Sequence, residues 1–134
     1  MANEITFNSS LVATKTNFSE RIEPGSIQID LSSSLEMVAG VKDVPDTAAG
    51  TEIVATGSGL NSGGMYFFRN LSTTGVVEVG LGPSNSFAAF LSLKPGEYAI
   101  GRLATSVPAT KAVFAKTTAS GVIVELQFKV FDGA

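Results

Sequence analysis

Several segments of the chain alternate apolar and polar residues with a period of two, which is typical of a β-strand with one buried face. Residues 27–31 show this alternation directly after the turn signal Pro24-Gly25, and residues 77–81 show it again. The longest alternating run covers residues 122–130, where Val124, Leu126 and Phe128 face away from the polar residues between them. These segments predict half-buried strands.

Shorter apolar runs rich in β-branched and aromatic residues lie between these segments, at residues 52–55, 65–71, 87–93, 98–103 and 112–116. Glycine, proline, serine and asparagine clusters separate them at short and fairly regular intervals. Short strands with turn signals at such spacing are typical of a β-sandwich or barrel. The pattern therefore predicts an all-β antiparallel domain of about eight to ten strands over residues 1–134.

Two stretches leave alternatives open. Ser33-Ser34-Leu35-Glu36 matches a capping box, so a short helix through Ala39 competes with a strand there. Residues 1–23 are polar and less clearly stranded after Phe7, and they are interpreted either as an N-terminal arm that reaches a neighbour or as a frayed terminus. Residues 42–50 are the least regular and predict a surface loop.

Composition narrows the classes of partner. The net charge is -3, and the 9 lysine and arginine residues are scattered singly, so no basic patch predicts nucleic-acid binding. Charged residues make up only 16% of the chain and hydrophobic residues 44%. A protein of this composition is expected to have a weakly charged surface, which suits a subunit covered by neighbours better than a free monomer. No apolar run is long enough to predict a membrane span or a secretion signal.

The residue types present exclude most catalytic chemistry. The chain has no His and no Cys, which removes imidazole bases, thiolate nucleophiles and the usual zinc ligands. Glu78, Glu97 and Glu125 could supply a carboxylate pair for a glycosidase, but the alternation predicts solvated faces for them. Asp43 and Asp46 could offer oxygens to Ca²⁺, although a solvated loop is the better interpretation. We expect no catalytic residue, no cofactor and no metal site.

A pattern between Met65 and about Ala115 resembles small virion proteins of tailed bacteriophages, the jelly-roll-like cement, decoration or accessory proteins of the head and tail. The residues that carry it are Phe67-Phe68-Arg69-Asn70-Leu71, Val77-Glu78-Val79-Gly80, Phe87 to Leu93, Leu93-Lys94-Pro95-Gly96-Glu97, Ala99, Arg102-Leu103 and Lys111-Ala112. The resemblance implies a jelly-roll-like sandwich and no catalytic residues.

Two features within this pattern predict local structure. Lys94-Pro95-Gly96-Glu97 has the chemistry of a type II turn, because Pro presets φ at the second position and Gly takes the positive φ at the third. Such a turn is expected to order its two flanking strands against each other. Arg102 sits among apolar residues, where its guanidinium is expected to pair with Glu97 or Glu78, or to lie at an interface with a neighbouring subunit.

The resemblance, the low charge and the missing chemistry together predict a virion structural protein made in the host bacterial cytoplasm. The expected role is a capsid cement or decoration subunit, a dimer or trimer, with the major capsid protein of the same phage as its partner. Neither nucleic acid nor a membrane is expected as a partner. The alternative is a tail or baseplate component, or a host-surface carbohydrate-binding module.

Overall fold

A computed structural model of the chain describes residues 5–29, 37–56, 60, 64–83, 86–104, 107 and 111–132. Every regular element in these ranges is a β-strand, and all strand pairs are antiparallel. The chain divides into two compact units, Met1–Leu31 and Ser32–Ala134.

The N-terminal unit consists of two nested strand pairs. Its strands are β1 (Ile5–Asn8), β2 (Leu11–Lys15), β3 (Phe18–Ile22) and β4 (Ser26–Ile29). Strand β1 pairs with β4 and β2 pairs with β3. Because β4 belongs to the same unit, the paired strands extend beyond residue 23, where the predicted N-terminal arm ends. Leu11, Phe18 and Ile22 are exposed, on one face of the β2–β3 pair by their register.

The second unit contains eight strands. They are β5 (Met37–Val44), β6 (Thr51–Val54), β7 (Met65–Asn70), β8 (Val77–Leu81), β9 (Ala88–Leu93), β10 (Tyr98–Arg102), β11 (Val113–Thr117) and β12 (Val124–Phe131). Sheet I has the strand order β10-β7-β12-β5, and sheet II has the order β6-β11-β8-β9.

The pairing of these strands is nested along the chain. The first strand, β5, pairs with the last, β12; β6 pairs with β11, β7 with β10 and β8 with β9. Two further pairs, β12 with β7 and β11 with β8, complete the two four-stranded sheets. Eight strands wound in this way into two antiparallel sheets form a jelly roll, and the predicted all-β, jelly-roll-like sandwich is confirmed.

The core lies between the two sheets and is built by period-two alternation. In β12, Val124, Leu126, Phe128 and Val130 are buried while Glu125 and Lys129 are exposed, as the sequence predicts. Sheet II contributes the buried side chains Ile53, Val54, Val77, Val79, Leu93, Val113 and Ala115. The largest fully buried side chain is Phe68 of β7.

At the start of the second unit the structure decides one open alternative and corrects one prediction. Met37 to Ala39 belong to β5 rather than to a helix, and Lys42 to Val44 continue that strand rather than opening a loop. The alternation of Val38 with exposed Met37 and Ala39 on a paired strand overrides the capping-box signal, whose residues 33–36 lie outside the described ranges. No helix that could cross a membrane occurs in the described part of the chain.

The buried side chain of Asn70 joins three parts of the fold. Its amide Nδ2 donates to the carbonyl oxygens of Gly75, at 3.0 Å, and of Leu93, at 3.1 Å. Its Oδ1 accepts a hydrogen bond of 3.0 Å from the N–H of Ser72. Because Asn70 ends a strand of sheet I and Leu93 ends a strand of sheet II, this amide links the two sheets at one end of the sandwich.

We expect Asn70→Ala to lower the free energy of unfolding by on the order of 3 to 5 kcal/mol, because it leaves several buried backbone groups without partners. Urea denaturation monitored by circular dichroism measures the effect. Thr73→Ala, in the exposed part of the same loop, is the control and is expected to change stability by less than about 0.5 kcal/mol. Equal stability of the two variants would contradict the linking role of Asn70.

Candidate functional site

The segment Lys94-Pro95-Gly96-Glu97 forms a tight turn between β9 and β10. Gly96 has a φ of 79°, and the N–H of Glu97 donates to the carbonyl oxygen of Lys94 at 3.0 Å. The Glu97 carboxylate folds back and accepts the N–H of Lys94 at 2.8 Å. The positive φ at the third position is the one that a type II turn requires of glycine.

This turn packs against Asn70. The N–H of Asn70 donates to the carbonyl oxygen of Glu97, and the N–H of Gly96 donates to that of Asn70, at 2.9 and 3.0 Å. The turn is expected to order its two flanking strands against each other; it does not pair them within one sheet, because β9 lies in sheet II and β10 in sheet I. The turn instead carries the chain from one sheet to the other, so its role is structural.

Arg102 ends β10 at the exposed edge of sheet I, where its register partner is Met65. Within the described ranges, the ion pair that forms joins Arg21 and Glu23 of the N-terminal unit. Arg102 therefore pairs with neither Glu78 nor Glu97, and its guanidinium is available to a ligand or a partner.

The carboxylates that could have formed a glycosidase pair are separated by the sandwich. Glu78 lies on the outer face of sheet II, opposite Lys116 in register. Glu125 lies on the outer face of sheet I, opposite Asp43. Packed sheets are about 10 Å apart between their backbones, so carboxylates on opposite outer faces cannot flank one glycosidic bond.

Asp43 and Asp46 lie in different parts of the structure, Asp43 within β5 and Asp46 in the loop that follows it. Asp43 is exposed on β5, while the Asp46 carboxylate accepts a hydrogen bond of 3.1 Å from the N–H of Gly121. Asp46 thus holds the loop that precedes β12. Among the residues that the structure describes, no group of three or more acidic side chains comes together to hold a metal ion.

The outer face of sheet I presents large apolar side chains among polar and charged ones. Tyr98 is 64% exposed, Val41 52% and Met37 50%, and Ile100 of the edge strand β10 is exposed on the same face. Phe67 and Phe131 are half-buried and point outward by register. We call this surface the outer face of sheet I: Met37, Ala39, Val41 and Asp43 of β5, Phe67 and Arg69 of β7, Tyr98, Ile100 and Arg102 of β10, and Glu125, Gln127, Lys129 and Phe131 of β12.

Aromatic rings and cations alternate on this face. Phe67 and Tyr98 stack with their ring centroids 6.1 Å apart. Arg69 is the cross-strand neighbour of Tyr98, and Lys129 is that of Phe67. Phe128 is buried in the core, Phe67, Phe87, Phe114 and Phe131 are half-buried, and Phe90 is exposed.

A cavity of about 340 Å³ opens near the beginnings of β7 and β9 and the ends of β8 and β10. Tyr66 lies in it, with its ring centroid 5.1 Å from Phe68 and 6.0 Å from Phe90. A Cβ added to Gly101 would lie 2.6 Å from the Tyr66 hydroxyl, so glycine at this position makes room for the ring. Burial raises the pKa of the Tyr66 phenol above its ordinary value of 10.0, because desolvation disfavours the phenolate.

Comparison of the chain with protein-family models, with curated proteins and with solved structures found no match. The outer face of sheet I and the cavity beside Tyr66 are therefore the features on which a functional argument rests. Sequence patterns did not single out either of them, since both depend on which strands become neighbours.

The raised pKa of Tyr66 predicts a loss of stability in alkali. Below pH 10.0 the phenol is protonated in both the folded and the unfolded chain. Above that pH the unfolded chain loses this proton first, so the free energy of unfolding falls as pH rises towards the pKa of the folded state. Tyr66→Phe is expected to flatten this part of the decline, measured by urea denaturation between about pH 8 and 11.5.

The control for this measurement is Tyr98→Phe, which removes a hydroxyl from the exposed outer face of sheet I. A Tyr66→Phe variant that loses stability in alkali as steeply as the Tyr98→Phe variant would show that the Tyr66 phenol is not buried in solution.

Proposed function

We propose that this protein is a non-catalytic virion structural protein of a tailed bacteriophage, a cement or decoration subunit that binds the assembled head shell. The observation that carries the proposal is the outer face of sheet I, where Met37 and Val41 of one edge strand and Tyr98 and Ile100 of the other are exposed, with outward-facing Phe67 and Phe131 on the strands between them. Large exposed apolar side chains gathered on one face of a small protein mark an interaction site. Its partner is proposed to be the major capsid protein of the same phage.

The fold and the resemblance between Met65 and Ala115 add support of a different kind. Eight-stranded jelly rolls occur in viral capsid proteins, and also in lectins and cupins. The fold is therefore compatible with a virion role and favours it only by analogy. A metal-binding cupin would need histidine ligands, and this chain has no His.

The exposed N-terminal unit is consistent with assembly. Leu11, Phe18 and Ile22 are 61%, 54% and 47% exposed on its β2–β3 pair. Isolated strand pairs are marginally stable in water, so such a unit gains stability when a neighbouring molecule covers it. We propose a homo-oligomer, a dimer or trimer, on a symmetric site of the shell.

A specific observation favours a second candidate, a tail or baseplate component that binds host-surface carbohydrate. The stacked pair of Phe67 and Tyr98 forms an exposed aromatic platform beside Arg69. Aromatic rings with adjacent hydrogen-bond donors suit the apolar faces and hydroxyl groups of sugars.

Quantitative mass spectrometry of purified particles distinguishes these locations. Emptied heads and detached tails are analysed separately, and the copy number per particle is determined for each. Hundreds of copies retained on heads are expected for a cement or decoration subunit. A handful of copies retained on tails would contradict that role and support the tail candidate, while absence from both fractions would contradict any virion role.

Binding of purified protein to shells that lack it tests the surface itself. Val41→Glu places a charge at the centre of the exposed part of β5, and we expect it to weaken shell binding at least tenfold in a co-sedimentation assay. The matched control is Ser92→Glu, at an exposed position of β9 in sheet II, which is expected to bind as the wild type does. Equal binding by both variants would show that another surface contacts the shell.

A further inference from the structure

Apart from Arg102, which also belongs to the outer face of sheet I, the side chains that line the cavity beside Tyr66 have no part in the shell-binding proposal. The cavity opens between the two sheets, away from Val41 and the centre of the outer face of sheet I. Its lining consists of Tyr66, Leu81, Phe90, Arg102, Leu103, Ala104 and Val107. Leu103 and Val107 are buried, and Phe90 is 42% exposed, so the cavity has an apolar floor and an accessible rim.

Two aromatic rings, one from each sheet, form opposite walls. Tyr66 comes from β7 of sheet I and Phe90 from β9 of sheet II, with 6.0 Å between their centroids and 56° between their planes. Tyr66 cannot move towards β10 without meeting the backbone beside Gly101, and Phe68 packs on its other side. The walls are therefore held in place by the core, which lowers the cost of ordering them on binding.

The charge of the cavity is the feature that selects a ligand. Arg102 is the one ionisable cation among the described lining residues, no carboxylate lies among them, and Arg102 forms no ion pair with any residue that the structure describes. A guanidinium presents a planar fork of donors that matches a carboxylate. A ligand that carries an apolar group and a carboxylate would contact the floor with its apolar group and the Arg102 guanidinium at the rim with its carboxylate.

A larger cavity of about 480 Å³ near β11 lacks this selectivity. It is lined by Glu52 and Lys111 together with Pro83, Ser86 and Phe114 among others. A ligand carboxylate in this cavity would be attracted by Lys111 and repelled by the Glu52 carboxylate, so the two effects offset each other. This site serves as an internal comparison.

We propose that the cavity beside Tyr66 is a binding site for carboxylates that carry an aromatic or branched aliphatic group. The apolar group packs against the rings of Tyr66 and Phe90, and the carboxylate pairs with Arg102. The source of such a carboxylate is either a free organic acid or the C-terminal residue of a partner chain, since both present the same chemistry. The proposal does not depend on a virion role.

Titration of the ¹⁵N-labelled full-length protein with benzoate, followed by NMR, tests the site. Saturable shifts are expected for the amides of Tyr66, Phe90, Arg102 and Leu103, with dissociation constants in the millimolar range for a ligand of this size. Benzyl alcohol, which has the ring without the charge, is expected to bind roughly five- to tenfold more weakly. N-acetylphenylalanine, which resembles the C-terminal residue of a chain, is titrated in the same way and compared with its amide, which lacks the carboxylate.

Variants separate the proposed contacts from general effects. Arg102→Gln is expected to weaken benzoate binding roughly five- to tenfold and to leave benzyl alcohol binding unchanged. Phe90→Ala is expected to weaken both ligands, and Lys111→Gln, at the comparison cavity, neither. Wild-type protein that shows no saturable shift up to about 50 mM benzoate, a concentration well above the millimolar range expected for so small a ligand, would overturn the proposal. An Arg102→Gln variant that binds benzoate as well as the wild type would overturn it too.

Discussion

The hydrogen bonds of the buried Asn70 amide are the interaction on which the second unit depends most. Its side chain binds the ends of β9 and of the β7–β8 connection, and its backbone binds the turn that begins at Lys94. A buried amide without partners is costly, so the arrangement is stable only when all of these segments are in place. One side chain thus fixes where the chain leaves sheet II and enters sheet I.

This crossing determines what each surface becomes. Because β9 and β10 lie in different sheets, β10 is free to pair with β7 and brings Tyr98 beside Phe67 and Arg69. The same crossing places Phe90 opposite Tyr66 at the open end of the sandwich. The exposed outer face of sheet I and the cavity are therefore both consequences of the nested strand winding, and the cavity also requires glycine at position 101 to make room for the Tyr66 ring.

Period-two alternation predicted β8 and β12, and short apolar runs between turn signals predicted β6, β7, β9, β10 and β11. Alternation also predicted correctly which side of β12 is buried. The glycine and proline chemistry of Lys94-Pro95-Gly96-Glu97 predicted the turn conformation, since it depends on local φ preferences alone. Strand pairing was not predictable in this way, because partners such as β5 and β12 are joined by contacts remote in sequence. Strands β2 and β3 were missed, since Leu11-Val12-Ala13 does not alternate.

The roles of individual residues were harder to predict than the elements. Asn70 occupies an inward position two residues after buried Phe68, and a polar residue at such a position was the available signal for its role. Phe67 differs from Phe68 only by the face on which it lies, so its stacking on Tyr98 required the register of β7 with β10. The unpaired state of Arg102 likewise depends on where Glu78 and Glu97 are placed.

We propose that the outer face of sheet I is the surface through which this jelly roll binds a phage shell. A cryo-electron microscopy reconstruction of the intact particle, at a resolution that traces individual strands, tests this proposal. The expected result is jelly-roll density on the head with β5, β12, β7 and β10 against the capsid protein. Density with this sheet facing solvent, or density confined to the tail, would contradict the proposal.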